Sequence, residues 1–239
     1  MTLIDLNQPP SLSTSPACEA INAAIERSEP SEENTRQYLG ASSIGHECAR
    51  HIQYAWMCTS SFSSQTRDIF RRGHLAEELT REHLRQAGFV FAPDDELYFE
   101  TANGRFRGHA DGKIIAGPDI PGVVYPAIWE HKCIGQKGFD TLNRDGLAKA
   151  YPLYAAQVTI YQAYLDVQNP AILTAVNANS MARIHALVPF DAEAAQRWSD
   201  RAVMIIKATE SGELLPRVTD NPDDWRCKAH CGFKDRCWG

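Results

Sequence analysis

Hydrophobic and polar positions follow two different periods along this chain, and the change between them separates predicted helices from predicted strands. Apolar residues recur every three or four positions over 67–89 and over 191–213, which predicts two amphipathic helices, the second opened by Asp191. Further helices are predicted over 17–29, within 38–56 and over 151–167. Apolar runs bounded by Gly and Pro predict strands over 89–92, 96–100, 106–115, 123–133, 172–178 and 183–190.

This order of elements predicts an α/β fold in which a mixed central β-sheet is flanked by helices. A chain of 239 residues can bury one substantial core, which we place in residues 38–220. Residues 1–37 are predicted to be a flexible or variable leader. Residues 221–239 form a cysteine-rich tail that is too short to have a core of its own.

The composition narrows the class of protein. A hydrophobic share of 44% and a charged share of 23% are typical of an ordinary globular protein. We find no apolar stretch long enough to span a bilayer and no basic leader typical of a signal peptide, so we expect a cytoplasmic protein without a membrane partner. Seven cysteines then indicate ligands or buried thiols rather than disulfides. The net charge of −6 argues mildly against a general nucleic-acid binder.

Candidate chemistry lies on consecutive hydrophobic segments. Asp111 interrupts the predicted strand 106–115, and Glu130 and Lys132 close the strand 123–133. Lys132 should share a face with Glu130 because side chains on a strand alternate with period two. Acids on neighbouring strands can hold a divalent cation, which lowers the pKa of water and neutralises developing charge. With a lysine beside them, they suit hydrolysis of a phosphodiester.

Each of these residues also has a simpler interpretation. Asp111 with Gly112 could form a hairpin turn, although strand-like residues on both sides favour a position within a strand. Glu130 and Lys132 could be an exposed edge pair, but the apolar run before them predicts a buried strand whose charges need a partner or a metal. Arg81 and Arg85 are predicted to form a solvated helix face.

The ordered series of motifs resembles the PD-(D/E)XK nuclease superfamily, in its RecB-like and phage exonuclease branch, from about residue 39 to the C-terminus. The matching positions are Gly73 to Glu77, Gly108 to Asp111, Glu130 to Lys132, and Gln157 with Tyr161. The resemblance implies a restriction-endonuclease-like core in which the acids bind Mg²⁺ or Mn²⁺ and the lysine positions water and phosphate. It also implies that the Gln and Tyr support the active site and the DNA strand. The metal ligands it implies are Glu77, Asp111 and Glu130.

The cysteines carry a second resemblance. Three of them lie close together in the tail, Cys227, Cys231 and Cys237, and Cys48 lies far upstream. This arrangement resembles the iron–sulfur staple of a helicase–nuclease subunit and of the CRISPR adaptation nucleases, and it implies four thiolates around a [4Fe–4S] cluster. Because His230 adjoins Cys231, a structural Zn²⁺ site and an empty site stay open as alternatives. The other three thiols are predicted to be plain buried side chains: Cys18, Cys58 and Cys133.

Together these features predict a metal-dependent deoxyribonuclease, an exonuclease acting on DNA ends in recombination, repair or phage replication. The alternatives are an endonuclease or flap-type nuclease with the same site, and a non-catalytic DNA-binding module. DNA is the expected partner. The sequence carries no helicase motif, so a recombination protein or helicase would be a further partner, in the cytoplasm of a bacterial or phage-infected cell.

Overall fold

The structure is a computed structural model that describes residues 15–28, 36–58, 62–228 and 231–239. Most of the predicted leader, residues 1–14 and 29–35, lies outside the described residues, as does His230. Within the described ranges, no helix is both long enough and apolar enough to cross a membrane.

Helices and strands alternate along most of the chain. The helices are α1 (Pro16–Ser28), α2 (Ala49–Met57), α3 (Ser64–Gln86), α4 (Gln136–Asp145), α5 (Leu147–Ala150), α6 (Pro152–Tyr164), α7 (Ala192–Glu210), α8 (Trp225–Lys228) and α9 (Lys234–Trp238). The strands are β1 (Leu39–Gly40), β2 (Val90–Phe91), β3 (Tyr98–Thr101), β4 (Phe106–His109), β5 (Gly112–Ala116), β6 (Ala127–Ile134), β7 (Ala171–Asn177) and β8 (Arg183–Val188). As predicted, Asp191 opens α7, where its side chain accepts a hydrogen bond from the backbone N–H of Ala194.

The strands form two sheets. The larger sheet has the order β2-β5-β6-β7-β8, in which β6 and β7 are parallel and the other pairs are antiparallel. The smaller sheet has the order β1-β4-β3, with β1 parallel to β4. Both sheets are mixed and helices flank them, which confirms the predicted α/β class.

The centre of the larger sheet is its most deeply buried part. All of β7 is buried, and β6 is buried from Ala127 to His131. A strand covered on both faces needs a continuous apolar run, which is what the sequence supplies here. Two parallel neighbours also need a long crossover connection, and α4, α5 and α6 provide it between β6 and β7. Glu130 and Lys132 therefore lie on a strand whose first five residues are buried.

Helix α3 packs on the sheet through small residues rather than through its large ones. Its buried side chains are Ala76 and Thr80. Four large apolar residues of the predicted hydrophobic stripe are exposed: Ile69, Phe70, Leu75 and Leu79. The apolar spacing thus predicts the helix but not which face meets the sheet, where the small side chains of Ala76 and Thr80 allow a close approach to β6.

The predicted single strand 106–115 is two strands in different sheets. β4 pairs with β3 in the smaller sheet, and β5 pairs with β6 in the larger one. The chain passes from one sheet to the other at Ala110 and Asp111, so Asp111 lies in a bend rather than within a strand. The prediction of one continuous strand was therefore wrong. Since β4 and β5 do not pair with each other, the bend is not the hairpin turn of the alternative interpretation either.

Candidate active site

Glu130 and Lys132 lie side by side on β6, as the alternation of a strand predicts. The Glu130 side chain is fully buried, and its Oε1 forms an ion pair with the Lys132 ammonium group. Its other oxygen, Oε2, is buried and has no hydrogen-bond partner among the described residues. A buried carboxylate oxygen without a partner is costly, so this atom marks a position where a cation would be stabilised.

The pKa values of Glu130 and Lys132 also indicate that a cation would be stabilised here. Burial raises the pKa of Glu130, and the nearby charge of Asp111 raises it further, against the opposing effect of Lys132. Burial lowers the pKa of Lys132, but the charges of Glu130 and Asp111 outweigh this effect and raise it above its ordinary value. The carboxylates of Glu130 and Asp111 thus oppose each other's ionisation in a poorly hydrated place. A divalent cation there would offset this repulsion between the two acids.

Asp111 reaches the same place from the bend between the sheets. Its Oδ2 accepts a hydrogen bond of 2.7 Å from the backbone N–H of His131. This contact ties the bend to β6, directly beside Glu130. The two acids that the sequence places on neighbouring segments are therefore close in space, which is why the charge of Asp111 affects the pKa of Glu130.

Glu77 on α3 is the third acid of the site. Its Oε1 accepts a hydrogen bond of 2.8 Å from Arg81 Nη2, which also donates to the backbone carbonyl of Asp111. Burial raises the pKa of Glu77, and the charge of Asp111 adds to that effect. The structure thus brings Glu77, Asp111 and Glu130 together from a helix, a bend and a strand.

Arg81 has a structural role that we did not predict from the sequence. Its side chain is 18% exposed, and its guanidinium group lies 5.5 Å from the Trp129 ring centroid and 5.7 Å from that of Phe91. The prediction of a solvated side chain was wrong, because Arg81 bridges α3 to the Asp111 bend. The spacing of Glu77 and Arg81 by four residues on one helix is the signal that could have revealed it.

The His131 side chain lies on the opposite face of β6 from Glu130 and Lys132, because side chains alternate along a strand. Its Nε2 lies 3.3 Å from Thr80 Oγ1 on α3. Burial lowers the pKa of His131 to about 4, with a further contribution from Lys132, so the ring is neutral at pH 7. The His131 side chain therefore contacts α3, and its backbone N–H donates to Asp111.

Gln157 and Tyr161 lie one turn apart on α6, and both are buried. Gln157 Nε2 donates a hydrogen bond of 3.2 Å to the Tyr161 hydroxyl. Burial raises the pKa of Tyr161 and the charge of Glu130 raises it further, which indicates that the hydroxyl lies near that carboxylate. Tyr154, one turn before Gln157, was not predicted, yet its ring centroid is 4.9 Å from Lys132 Nζ. The shared helical face of these three residues is the signal for it.

The four candidate cluster cysteines lie close together in space although Cys48 is far from the other three along the chain. Cys48 directly precedes α2, and the other three lie in the tail; all four line a single small pocket. His51 Nδ1 lies 3.5 Å from Cys231 Sγ, and Arg217 Nε donates to Cys237 Sγ over 3.3 Å. Burial raises the pKa of the Cys231 thiol, and the other three cysteines of the pocket raise it further.

The cysteines outside this pocket are Cys18, Cys58 and Cys133. They are partly exposed, so the prediction that they are buried was wrong.

Across the ranges that the structure describes, no group of three or more His, Cys, Asp or Glu side chains has an arrangement that could hold a metal ion. The acids are engaged with Arg81, Lys132 and the His131 backbone, and the thiols surround a space without converging on one point. Carboxylate oxygens are the donor type that Mg²⁺ and Mn²⁺ prefer, and thiolate sulfurs are a donor type for Zn²⁺ or an iron–sulfur cluster.

The fold is shared with a solved exonuclease. An alkaline exonuclease from Laribacter hongkongensis superposes with a TM-score of 0.54 over 74% of this chain and 89% of its own, at 13% sequence identity. SSO0001 superposes with a TM-score of 0.46 at 16% identity, covering 91% of this chain and 92% of its own. No family model matches the chain, and no curated protein matches it in sequence. The comparison shows that this chain shares the α/β fold of that exonuclease structure, a mixed sheet flanked by helices.

Proposed function

We propose that this protein is a metal-dependent deoxyribonuclease, an exonuclease that hydrolyses phosphodiester bonds at DNA ends in recombination, repair or phage replication. One observation carries the proposal. The buried Oε2 of Glu130 has no hydrogen-bond partner among the described residues, and two further acids stand beside it. An oxygen in that state suits a cation ligand, and the fold is that of an alkaline exonuclease.

Asp111 and Glu130, with Glu77 in support, would hold Mg²⁺ or Mn²⁺. The acids supply the hard oxygen ligands that these ions prefer. When bound, the ion would lower the pKa of a water molecule and offset the charge that develops on the phosphoryl oxygens. Binding would also relieve the repulsion among the three carboxylates.

The chain's own residues position the reactants. The Lys132 ammonium group is set beside Glu130, where it can orient the attacking water and bind a nonbridging phosphate oxygen. Gln157 and Tyr161 hold each other through a hydrogen bond and form a polar wall next to the acids. In the reaction, the water oxygen forms a bond to phosphorus, the bond from phosphorus to a 3′ or 5′ oxygen breaks, and the leaving oxygen receives a proton.

The cysteine tail has a structural part in this proposal. Cys48, Cys227, Cys231 and Cys237 would hold a [4Fe–4S] cluster, with Zn²⁺ as the alternative occupant. The common pocket supports it, as does the Nε–H group of Arg217, because a hydrogen bond to sulfur stabilises a metal-bound thiolate. A cluster there would tie residues 221–239 to the start of α2 and close a loop around the core of residues 38–220.

A cleavage assay on matched DNA substrates tests the proposed function. Purified protein is incubated with a linear duplex, the same duplex with blocked ends, and a closed circle, with and without Mn²⁺. An exonuclease degrades only the free-ended duplex, and only with the ion present. Cutting of the circle would favour the endonuclease alternative. Binding of DNA with no cleavage under any ion would leave the non-catalytic module.

A further inference from the structure

The ammonium group of Lys132 has an aromatic contact in addition to its ion pair. Lys132 Nζ lies 4.9 Å from the centroid of the Tyr154 ring on α6. A cation at that distance from an aromatic ring is attracted to the negative face of the ring. The Lys132 side chain is 19% exposed, so water competes only weakly for this contact.

The Tyr154 ring is itself held in place. It stacks on Tyr151 with centroids 5.0 Å apart and planes 22° apart. Tyr151 in turn presses against α4, because a Cβ atom added to Gly138 would lie 2.1 Å from the Tyr151 hydroxyl. The absence of a side chain at Gly138 therefore lets Tyr151 support Tyr154. The result is a continuous row of contacts from α4 to Lys132.

The two partners of Lys132 differ in what a bound cation would do to them. Glu130 is a ligand in the proposed function. Binding of a cation would therefore weaken the electrostatic attraction between the Glu130 carboxylate and the Lys132 ammonium group. The aromatic face of Tyr154, by contrast, is not a ligand that such a cation would engage. We infer that Tyr154 is a positioning residue for Lys132, which keeps the ammonium group at the site when Glu130 engages a cation. This inference rests on the proposed function.

A nuclear magnetic resonance experiment tests the contact without any cleavage. The chain has seven lysines, so the ε-CH₂ signals of ¹³C-lysine-labelled protein are few, and Lys132→Met identifies the signal of interest. In the wild type, the ring current of Tyr154 should shift the Lys132 ε-CH₂ protons upfield of the other six. Tyr154→Phe should keep this shift, because the aromatic face remains. Tyr154→Leu should remove it.

Kinetics test the consequence. Under single-turnover conditions with Mn²⁺, Tyr154→Leu should cut DNA about tenfold more slowly than wild type, a loss of the size expected for a desolvated cation–π contact. Tyr154→Phe should restore the rate, and affinity for DNA should change little. Tyr98→Leu, at an exposed tyrosine on β3, is the matched control and should leave the rate unchanged. Tyr154→Met provides a second ring-free variant if the Leu variant fails to fold.

The outcomes separate the two proposals. If the wild type does not cleave DNA, the proposed function fails whatever the lysine spectrum shows. If the wild type cleaves DNA but Tyr154→Leu matches it in rate, or keeps the upfield lysine signal, the role of Tyr154 is overturned. Loss of rate in both the Leu and the Phe variants would also overturn it, because the hydroxyl rather than the ring would then matter.

Discussion

Gly108 and Tyr161 are packed so closely that a Cβ atom added to Gly108 would lie 2.7 Å from Tyr161 Cε1. The same atom would lie 2.3 Å from Phe99 Cε1. Contacts below about 3 Å are too short for carbon atoms, so only glycine lets β4 and α6 meet here. Gly108, three residues before Asp111, therefore leaves room for the Tyr161 ring. The Tyr161 hydroxyl accepts a hydrogen bond from Gln157.

Gly108→Ala should destabilise the protein, because the added methyl group forces Tyr161 or Phe99 to move. We expect a loss of about 1–3 kcal/mol in the free energy of unfolding, the usual cost of overpacking. Gly73→Ala on α3 is the matched control, since a Cβ there meets nothing within 4 Å. That change should stabilise by about 0.5–1 kcal/mol, as in an open helix interior. Urea titration measures both; equal values would contradict the packing argument.

Asp111→Asn should reduce cleavage by about a hundredfold or more while leaving the fold intact. The amide keeps an oxygen that can accept the hydrogen bond from the His131 backbone, but it removes the negative charge proposed to bind the cation. The control is Asp119→Asn, at an exposed acid that follows β5. Single-turnover rates and thermal melting of both variants are compared. Wild-type cleavage by a folded Asp111→Asn variant would remove this residue from the proposed site.

The neighbouring acids Glu77 and Glu78 offer a direct comparison on one helix. Glu77 is half-buried beside Arg81 and Asp111, whereas Glu78 is exposed. Glu77→Gln should weaken Mn²⁺ binding by about tenfold, within the range seen when a supporting ligand is lost. Glu78→Gln should have no effect. Isothermal titration of the two variants measures the difference, and equal affinities would exclude Glu77 from the metal shell.

The three acids should bind Ca²⁺ without supporting cleavage. Its coordination shell is larger and looser than that of Mg²⁺, so it should align water and phosphate poorly. Ca²⁺ at about one hundred times its dissociation constant should raise the stability of the folded protein by about 2.7 kcal/mol. Thermal melting with Ca²⁺ detects this gain, and Glu130→Gln should abolish most of it. Cleavage that continues undiminished in excess chelator would refute the metal-dependent mechanism.

Loss of any proposed cluster cysteine should have the same effect, wherever it lies in the sequence. Protein purified without oxygen should be brown, with a broad absorbance near about 400 nm. Cys48→Ala should lose the colour as completely as Cys231→Ala, and both should melt at a lower temperature, because ligand binding contributes to folding. Cys18→Ala on α1 is the control and should stay brown.

The metal content of the same preparations decides between the alternatives for the tail. A colourless protein that contains stoichiometric zinc, and that loses the zinc when His230 is replaced, would indicate a zinc site. Neither metal at stoichiometric level, with Cys48→Ala as stable as wild type, would show that the pocket holds no metal.

The sequence by itself determined those features that depend on neighbours along the chain. The helical period placed α3, α6 and α7, and Asp191 marked the start of α7. The apolar run before Glu130 identified a buried strand, and the two-residue period set Glu130 and Lys132 on one face. These properties are local, because backbone geometry fixes where each side chain of a regular element points.

The tertiary structure alone decided which distant groups meet. The alternation over 106–115 could not show that β4 and β5 join different sheets, since the partners of each strand lie elsewhere in the chain. For the same reason, helical spacing places Arg81 on the face of Glu77, and Tyr154 on the face of Gln157, but it cannot show that Arg81 reaches Asp111 or that Tyr154 contacts Lys132. Four large apolar residues of α3 are exposed because close packing on β6 selects small side chains, and the closeness of that packing depends on the whole fold.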